Sequence, residues 1–342
     1  MNEKIDFNYH DIIGFQGYLL DDEKLIKSSS GGVARAFMET ILKRKGIVFG
    51  ATYSNDFYSA HYCYIENENE IERLIGSKYI YTDKKVSLNK KTVSIYEAVS
   101  YFLELGKEVL FIGLGCDIAA LSKLLGNRNV DTSNLYLVDL ICQGPTFPKV
   151  EESYLKYLEK KFDSKVCDFS VRYKQLGWTP PYIRVKFENG KEYTESFYGS
   201  DFGYAFSKYS RPSCFKCKNK GENHKSDITI GDFWGLEKED IGFNKNGVSA
   251  ILVKTEKGKK LVDLLDETRF KIMRADVTKI LVNNPMYYKC RKQNEQQEAF
   301  MQNLNVYGLH EATKKEIGSI KYSYFKIRRA IGKSIRNFRN KN

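Results

Sequence analysis

Four of the seven cysteines in this chain of 342 residues stand where ligands of a metal or of an iron–sulfur cluster are expected. Cys214 and Cys217 form a Cys-x-x-Cys pair in a basic loop, and two thiolates at this spacing can bind one iron or zinc. Cys116 and Cys142 each follow an apolar run that predicts a buried strand, and a residue at that place can face a ligand. If the four converge, they form a soft thiolate cage suited to an iron–sulfur cluster or to zinc.

Each of these cysteines also has a simpler explanation. Cys214 and Cys217 can be paired surface thiols without a metal, and a buried cysteine is common in apolar strands. Of the four histidines, only His224 is near the cysteine loop, either as a ligand or as a solvated loop residue. The other three cysteines have contexts typical of ordinary packing: Cys63, Cys167 and Cys290.

The residues before the first predicted helix suit a phosphate. Three serines and two glycines at 28–32 precede an apolar run with helical spacing, so backbone N–H groups there could hold the pyrophosphate of a cofactor. The alternative is a simple capping turn, because serines are natural N-caps. Lys78 either pairs with a cofactor or is solvated, and Asp232 and Trp234 either contact a cofactor or belong to a turn and the core.

Charge and hydropathy exclude several classes of protein. The net charge is +12, and eight of these charges lie in residues 320–342, which contain no acid. The remainder is only mildly basic, so no general nucleic-acid-binding surface is implied. We expect a cytoplasmic protein, because neither a secretory signal nor a run of eighteen apolar residues is present. In that compartment, seven scattered cysteines argue against a disulfide framework.

The basic C-terminal segment has the pattern of an amphipathic helix. Ile327, Ile331 and Ile335 recur four residues apart, with Lys and Arg elsewhere. Such a helix can lie on an anionic membrane surface, which would make the protein peripheral at the inner membrane face, or dock an acidic partner. It can equally pack its isoleucines on the body of the protein.

The order of the predicted elements indicates the fold class. Near-continuous apolar strands alternate with helices in the first half, which is typical of a parallel sheet covered on both faces. Further on, the patterns alternate, and an Asn-Gly turn at 189–190 predicts an antiparallel hairpin. The predicted helices are 33–42, 95–105, 117–125, 151–162 and 257–265, and the predicted strands are 47–51, 109–113, 135–141, 168–173, 182–187, 192–198, 227–235 and 248–253.

These elements predict an α/β fold, α+β overall, in four parts. The parts are a lead-in (1–25), an α/β flavin-binding region with a parallel sheet (26–150), a mixed or antiparallel region with the cluster-binding loop (151–285), and a helical, basic C-terminal tail (286–342).

Six short motifs in a fixed order carry a resemblance that covers about residues 26–265. In this order, the chain resembles the beta-subunit family of coenzyme F420-reducing hydrogenases and dehydrogenases. The motifs are Ser29-Ser30-Gly31-Gly32, Gly76-Ser77-Lys78-Tyr79, Gly113-Leu114-Gly115-Cys116, Ile141-Cys142-Gln143-Gly144, Ser213-Cys214-Phe215-Lys216-Cys217, and the run from Ser226 to Gly235.

The resemblance implies an iron–sulfur flavoprotein oxidoreductase. It implies that electrons from an external, ferredoxin-like donor pass through one 4Fe–4S cluster to FAD and then to a small-molecule substrate. This substrate would be either F420-like or a compound of a polysaccharide pathway. No specific binding of nucleic acid is expected. The cluster ligands would be Cys116, Cys142, Cys214 and Cys217. The FAD-binding residues would be Ser29, Ser30, Gly31, Gly32, Lys78, Tyr79, Asp232 and Trp234.

The sequence departs from the family pattern in two places. The N-terminal two-cluster ferredoxin segment of many members is missing, so we expect one cluster at most and an external donor. The usual Gly-Thr-Pro-Cys-Gln is here Gly113-Leu114-Gly115-Cys116-Asp117, and a carboxylate beside a cluster would lower its reduction potential.

The rival interpretation is a non-redox protein. A zinc-stapled protein of cell-surface polysaccharide assembly would use the same cysteines and dock an anionic surface through its basic tail. Four-cysteine zinc sites usually pair two Cys-x-x-Cys knuckles, and this chain has one.

Overall fold

The computed structural model describes residues 5–323, which contain fourteen strands and ten α-helices. The strands are β1 (Ile13–Leu19), β2 (Ile47–Tyr53), β3 (Ala60–Ile65), β4 (Thr82–Asp83), β5 (Lys85–Leu88), β6 (Lys91–Ser94), β7 (Val109–Leu114), β8 (Leu135–Leu140), β9 (Val166–Tyr173), β10 (Tyr182–Phe187), β11 (Glu192–Ser196), β12 (Ile228–Asp232), β13 (Ser249–Val253) and β14 (Phe270–Arg274). The helices are α1 (Asp22–Lys27), α2 (Val33–Lys43), α3 (Ile95–Glu104), α4 (Gly115–Asn127), α5 (Pro148–Phe162), α6 (Asp201–Lys208), α7 (Pro212–Phe215), α8 (Glu256–Asp263), α9 (Val277–Asn283) and α10 (Gln297–Ile317), the last broken at Gly308.

A nine-stranded mixed sheet is the centre of the molecule. Its strand order is β14-β1-β13-β12-β8-β7-β2-β3-β4, and β2, β7, β8 and β12 run parallel. These parallel strands are apolar on both faces because α2 and α8 pack on one side and α3 and α4 on the other. The predicted α/β class is therefore confirmed.

One edge of the sheet is antiparallel and joins distant parts of the chain. β1 pairs antiparallel with both β13 and β14, so Ile13 lies opposite Val253 and Phe15 opposite Arg274. Strands from before residue 26 and from after residue 150 thus share one sheet with the parallel strands. The division of the chain into four parts stays a prediction.

A second, smaller layer carries the predicted hairpin. β9, β10 and β11 form an antiparallel sheet, and β10 and β11 are joined by the turn at 189–190. This sheet packs with α5, α6 and α10 around a core rich in aromatic side chains, among them Phe169, Phe187 and Phe202. The layer matters for function because the end of β9 reaches the edge of the large sheet.

The predicted elements named above are all present, with boundaries shifted by a few residues. The expected serine N-cap of α2 was wrong: the N-cap is Gly32, at φ +86°, and no side chain caps the helix. The serines are occupied elsewhere, since Ser28 Oγ donates to Lys24 O and Ser30 Oγ donates to Val248 O.

Two expectations concern membranes. Among residues 5–323, no helix has the length and apolarity needed to span a bilayer. The predicted amphipathic helix with Ile327, Ile331 and Ile335 lies outside the described residues.

Candidate functional site

The chemistry-bearing residues meet at one edge of the large sheet. Cys116 follows β7, Cys142 follows β8, Asp232 ends β12 and Tyr53 ends β2. Because these four strands are parallel, their carboxyl ends lie side by side. In open α/β sheets this edge is the usual place for ligands.

The turn at 28–32 lies tightly against the sheet. Gly31 O accepts from Leu19 N at 2.8 Å. A Cβ on Gly31 would stand only 2.1 Å from Gly17 O, so only glycine allows this approach. Gly32 then turns the chain into α2 through its positive φ. The backbone N–H groups at the start of α2 are therefore held at the edge where β2, β7 and β8 end.

Arg172, at the end of β9, connects the predicted cofactor segments. Its guanidinium donates to both carboxylate oxygens of Asp232, at 2.7 and 2.9 Å, and also to Ser29 O and Tyr79 Oη. The arginine is buried, and although burial opposes its charge, Asp232 raises its pKa. One cation thus holds three predicted segments together.

Lys174 lies next to this ion pair, and no carboxylate of residues 5–323 is in contact with its ammonium. Its Nζ donates to Ser30 O and Asn246 O, each at 2.6 Å, and the residue is 3% exposed. Burial and the nearby charge of Arg172 lower its pKa to about 7. A buried cation beside the start of a helix is suited to an anionic ligand.

Trp234 belongs to an aromatic pair. It stacks on Trp178 with ring centroids 5.3 Å apart, and Trp178 Nε1 donates to Asp232 Oδ1 at 2.8 Å. The guanidinium of Arg172 lies 5.5 Å from the centre of the Trp234 ring. Asp232 is therefore fixed by two donors, and Trp234 is half-buried beside it.

The segment with Lys78 and Tyr79 joins the same group. Ser77 Oγ donates to Ser29 Oγ at 2.9 Å, and Tyr79 stacks on Phe206 at 4.4 Å. Lys78 Nζ donates to Leu74 O and Ile75 O, so it is not a freely solvated lysine. All eight predicted cofactor-binding residues thus lie in this region or in segments bonded to it.

The cysteines gather beside this region. Gly144 N donates to Cys142 Sγ at 3.2 Å, and a Cβ on Gly144 would lie 3.2 Å from Cys214 Sγ. Gly144 has φ +101°, which favours glycine. The absence of a side chain there lets Cys214 approach the segment that follows β8.

Electrostatics places the other two thiols in the same neighbourhood. Burial, then Asp117 and Cys142, raise the pKa of Cys116 to about 12. Burial raises the pKa of Cys142, to which Cys214 and Cys217 add, while Lys220 opposes the shift. Cys116 therefore lies near Cys142, and Cys142 near Cys214 and Cys217. Burial disfavours the ionisation of Cys116 and Cys142 without an added positive charge.

Two arginines lie at these thiols. Arg211 feels the charges of Cys214 and Cys116, and Arg291 feels those of Cys142 and Cys214. Lys220 Nζ donates to Cys142 O and Met286 O, which attaches the cysteine loop to neighbouring segments. Within the described part of the chain, no three His, Cys, Asp or Glu side chains are close enough to hold a single metal ion.

Three sequence interpretations change with the structure. His224 is neither solvated nor a free ligand, because its ring nitrogens contact Asp139 Oδ2 and Tyr287 O and its side chain is 4% exposed. Cys290 lies at the cysteine loop, with Sγ 3.5 Å from Cys217 O. Asp117 accepts from Tyr62 Oη and pairs with Lys84, which partly offsets its charge.

A short extended segment joins the two groups of residues. Tyr79 belongs to the first group, and the Tyr81 ring lies 4.5 Å from the guanidinium of Arg211 in the second. Tyr81 N donates to Thr146 O and Thr146 N donates to Tyr79 O, so the segment is fixed on the chain that follows Cys142. Two extended residues span about 7 Å, so the two groups are neighbours.

Sequence reasoning missed the basic residues of β9 and its continuation. Arg172 and Lys174 stand two positions apart, which puts both on one face of an extended segment. That spacing was a usable signal. Their partner Asp232 is 60 residues further along the chain, so nothing local announces the ion pair.

Comparisons with known proteins bear on the fold and on the family. No curated protein matches the chain. Among solved structures, a chain of the F420-reducing [NiFe] hydrogenase complex from Methanosarcina barkeri, studied as a xenon derivative, has the same fold, with a TM-score of 0.55 and 17% identity. The match covers 88% of this chain and 96% of that one.

The family comparison identifies the family of the chain as well as its fold. The model that describes the C terminus of the coenzyme F420 hydrogenase/dehydrogenase beta subunit matches residues 106–277, which include all four cysteines together with Arg172 and Asp232. The chain therefore belongs to the coenzyme F420 hydrogenase/dehydrogenase beta-subunit family of oxidoreductases.

Proposed function

We propose that this protein is an iron–sulfur flavoprotein oxidoreductase. Electrons would come from an external one-electron donor, cross one 4Fe–4S cluster, reach FAD and leave to a small substrate. The observation that carries the proposal is the meeting of two residue groups, one of thiols and one of cations and serines, at the carboxyl edge of a single parallel sheet. The four cysteines and the serines are predicted from the sequence, whereas Arg172 and Lys174 are recognised only from the structure.

The thiol group fits an iron–sulfur cluster better than a zinc ion. The charge of Cys142 raises the pKa of Cys116, and those of Cys214 and Cys217 raise the pKa of Cys142, yet none of the described residues forms a single-ion site. A four-iron cluster attaches each cysteine to a different iron and therefore holds its ligands further apart than one ion does. The iron would supply the positive charge that buried thiolates require.

The cation and serine group fits a dinucleotide. Lys174 and the N–H groups at the start of α2 would bind the pyrophosphate, and Ser29 and Ser30 would position it through the turn. Arg172, held by Asp232, would fix the turn and Tyr79 rather than donate freely. FAD would supply the exchange between one-electron and two-electron chemistry.

The protein itself contributes position and charge. Arg211 and Arg291 would stabilise the anionic cluster with its thiolates, and Gly144 leaves the space that Cys214 needs. Tyr79 and Tyr81 keep the flavin group and the cluster group a short distance apart. The stacked indoles of Trp178 and Trp234 lie beside the Arg172–Asp232 ion pair, and Trp178 donates to Asp232.

The surface around the cysteine loop suits an acidic electron donor. Lys216, Lys218 and Lys225 are exposed there, and Lys292 is exposed next to Cys290. Small one-electron carriers such as ferredoxin-like proteins would be attracted to such a surface by complementary charge. The similar solved chain is part of a multi-subunit hydrogenase complex, which supports a partner protein for this chain as well.

Metal and flavin analysis of anaerobically isolated and reconstituted protein tests the proposal. We expect close to four iron atoms and one FAD per chain, by the stoichiometry of one cluster and one flavin. Cys142→Ser should lose the iron. Arg172→Lys should lose the flavin and keep the iron, because it removes the bidentate contact to Asp232.

The same metal and flavin analysis also tests a control variant and the rival zinc interpretation. Arg184→Lys on β10 changes another ion-paired arginine, that with Asp168, outside both groups and should retain both cofactors. Zinc without flavin would support the zinc-stapled protein of polysaccharide assembly instead. A colourless protein with neither iron nor flavin would contradict the proposal.

A further inference from the structure

A buried polar cluster lies behind the flavin-binding group and has no role in the arrangement described so far. It consists of Tyr53 at the end of β2, Lys78 next to Ser77 and Tyr79, and Glu151 in the first turn of α5. Glu151 has 0% exposure. A fully buried acid is rare in a protein unless it is paired or takes part in chemistry.

Glu151 is only half satisfied. Its Oε2 accepts from Tyr53 Oη at 3.3 Å, whereas its Oε1 is buried and has no hydrogen-bond partner among the described residues. Leaving a buried carboxyl oxygen unpaired is costly, about 1–3 kcal/mol. Such an atom points to a partner that is bound in the working protein.

Lys78 lies on the other side of this cluster. Two of the three N–H groups of its ammonium donate to Leu74 O and Ile75 O. The Nζ lies 5.7 Å from the centre of the Tyr53 ring. The charges of Lys78 and Glu151 interact, but no ion pair within 4.0 Å joins them in residues 5–323. Among the described residues, Lys78 thus keeps one N–H donor and Glu151 one carboxyl oxygen without a hydrogen-bond partner.

The groups that face this pair are few. Glu151 faces Tyr53 and Lys78, Lys78 faces Glu151 and Cys63, and Tyr53 faces Glu151 and Tyr79. Burial raises the pKa of Glu151 well above its ordinary value and lowers that of Lys78 to about 7. Lys78 is half-buried as a residue, whereas Glu151 has no exposed surface. Lys78 is therefore the member of the pair nearer to solvent.

We propose that Glu151 is a buried proton donor for the ligand of the neighbouring site, positioned by Tyr53 and reprotonated from solvent by way of Lys78. This inference rests on the proposed function, because the ligand is taken to be the flavin. Lys78 connects the cluster to that site directly, since its neighbours Ser77 and Tyr79 bond to Ser29 and Arg172.

The step balances with the proposed electron path. With FAD bound, its reduction by two electrons from the donor would require one proton. Glu151 would give that proton and become a carboxylate. The Lys78 ammonium would then return a proton to Glu151 and recover its own from water. Hydride transfer to the substrate would consume the two electrons and the proton, which would leave Glu151 and Lys78 in their starting states.

The first test asks whether Glu151 holds a proton, and it needs no cofactor. Infrared spectra of the protein as isolated should contain a protonated carboxyl band at pH 7 that disappears in Glu151→Gln and persists in Glu152→Gln. Glu152 is the matched control, because it is the next residue on α5 and pairs at the surface with Lys149 and Lys156. A spectrum at pH 7 with no band sensitive to Glu151→Gln overturns the proposal.

The second test separates proton donation from a structural role. In flavin-loaded protein, photoreduction in weakly buffered solution with a pH indicator reports proton uptake. We expect Glu151→Gln to slow this uptake about 100-fold, the usual worth of a positioned acid, and Glu152→Gln to leave it unchanged. Equal uptake rates in wild type and Glu151→Gln, both with bound flavin, overturn the proposal. A wild type that binds no flavin rejects the proposed function and this proton acceptor together, and the measured flavin content distinguishes that case.

Discussion

Single residues decide where the functional groups meet. Arg172 bonds to Ser29, Tyr79 and Asp232, three residues that are far apart in the sequence, and Gly144 leaves the room into which Cys214 fits. Neither contact could be derived from local sequence, because each depends on where the chain returns after many residues. The glycines, in contrast, are visible in the sequence, and Gly31 and Gly32 proved to be required by a close approach and by a positive φ.

Gly144→Ala should damage the cysteine group specifically. The new Cβ would lie 3.0 Å from Cys214 Cβ and 3.2 Å from its Sγ, and the backbone at φ +101° strains any residue with a side chain. We expect a loss of about 1–2 kcal/mol in the free energy of unfolding and a lower iron content after anaerobic reconstitution. Denaturant titration and iron analysis measure the two effects.

Gly126→Ala is the matched control for this change. Gly126 lies in α4, and a Cβ there has nothing within 4 Å. Alanine should stabilise that helix by up to about 1 kcal/mol and leave iron binding unaltered. Full iron content in Gly144→Ala would show that Cys214 does not need the space at Gly144.

Elements carry the functional groups through buried polar contacts as well as through hydrophobic packing. Asp139 on β8 accepts from Thr229 Oγ1 on β12 and from His224 Nδ1 at the end of the cysteine loop, each at 2.5 Å. Lys254 lies 3.8 Å from the same carboxylate. The loop with Cys214 and Cys217 is therefore tied to the two strands whose ends supply Cys142 and Asp232.

Asp139→Asn should loosen that loop. The change leaves Asp227 as the negative charge near the buried Lys254 and weakens the acceptor of His224 and Thr229, so we expect a loss of about 1–3 kcal/mol in the free energy of unfolding. Hydrogen exchange of residues 214–225 should rise as well. Asp131→Asn, in an exposed turn, is the control and should change neither quantity measurably.

The pH dependence of this effect has a definite sign. Burial raises the pKa of Asp139, but Lys254 and the donors from His224 and Thr229 outweigh it, so the folded-state pKa is lowered. Stability from the carboxylate is then complete above the unfolded value of about 3.9 and is lost as the pH falls through the lower folded value. If the difference in the free energy of unfolding between wild type and Asp139→Asn disappeared already near pH 6, this assignment would be contradicted.

The sequence predicts elements better than it predicts their neighbours. β2, β7, β8 and the helices after them were predictable because each apolar run is long and local. β1 and β14 were not recognised as strands, and their pairing depends on contacts between residues 13–19 and 249–274. The same holds for the candidate site. Motif residues such as Ser29 and Cys142 were predicted, because their motifs are local. Arg172, Lys174 and Glu151 were not, because their importance depends on partners that are distant in the sequence.

At the scale of the whole molecule, charge is unevenly placed with respect to the sheet. Lys216, Lys218 and Lys225 lie on the loop at the carboxyl edge of the parallel strands, where the thiols are. α8 lies at the opposite edge, since Lys257 bonds to Thr132 O and Leu135 O, where β8 begins. An approaching acidic protein would therefore be drawn to the side that contains the cysteines.

Reversing two of these charges should slow electron delivery. We expect the double change Lys216→Glu and Lys218→Glu to lower the rate of reduction by an acidic ferredoxin about tenfold at low salt, with a weaker dependence on salt than in wild type. Stopped-flow mixing at several ionic strengths measures both. The double change Lys259→Glu and Lys260→Glu on α8 alters the net charge equally and should keep the wild-type rate. Equal slowing by both pairs would mean that net charge, rather than a docking surface, governs the encounter.

The pairing of β1 with β13 and β14 also determines when β1 can fold during synthesis of the chain. β1 finds both of its neighbours only after residues 249–274 have been synthesised. At 5–20 residues per second, that wait is roughly 10–50 s. During this time the turn at 28–32 has no completed β1 to rest on, and its approach to Ser249 cannot form. The cysteine loop has to wait longer still, because Lys220 and His224 bond to Met286 O and Tyr287 O. Neither residue group can therefore be completed before nearly all of the described chain has been synthesised.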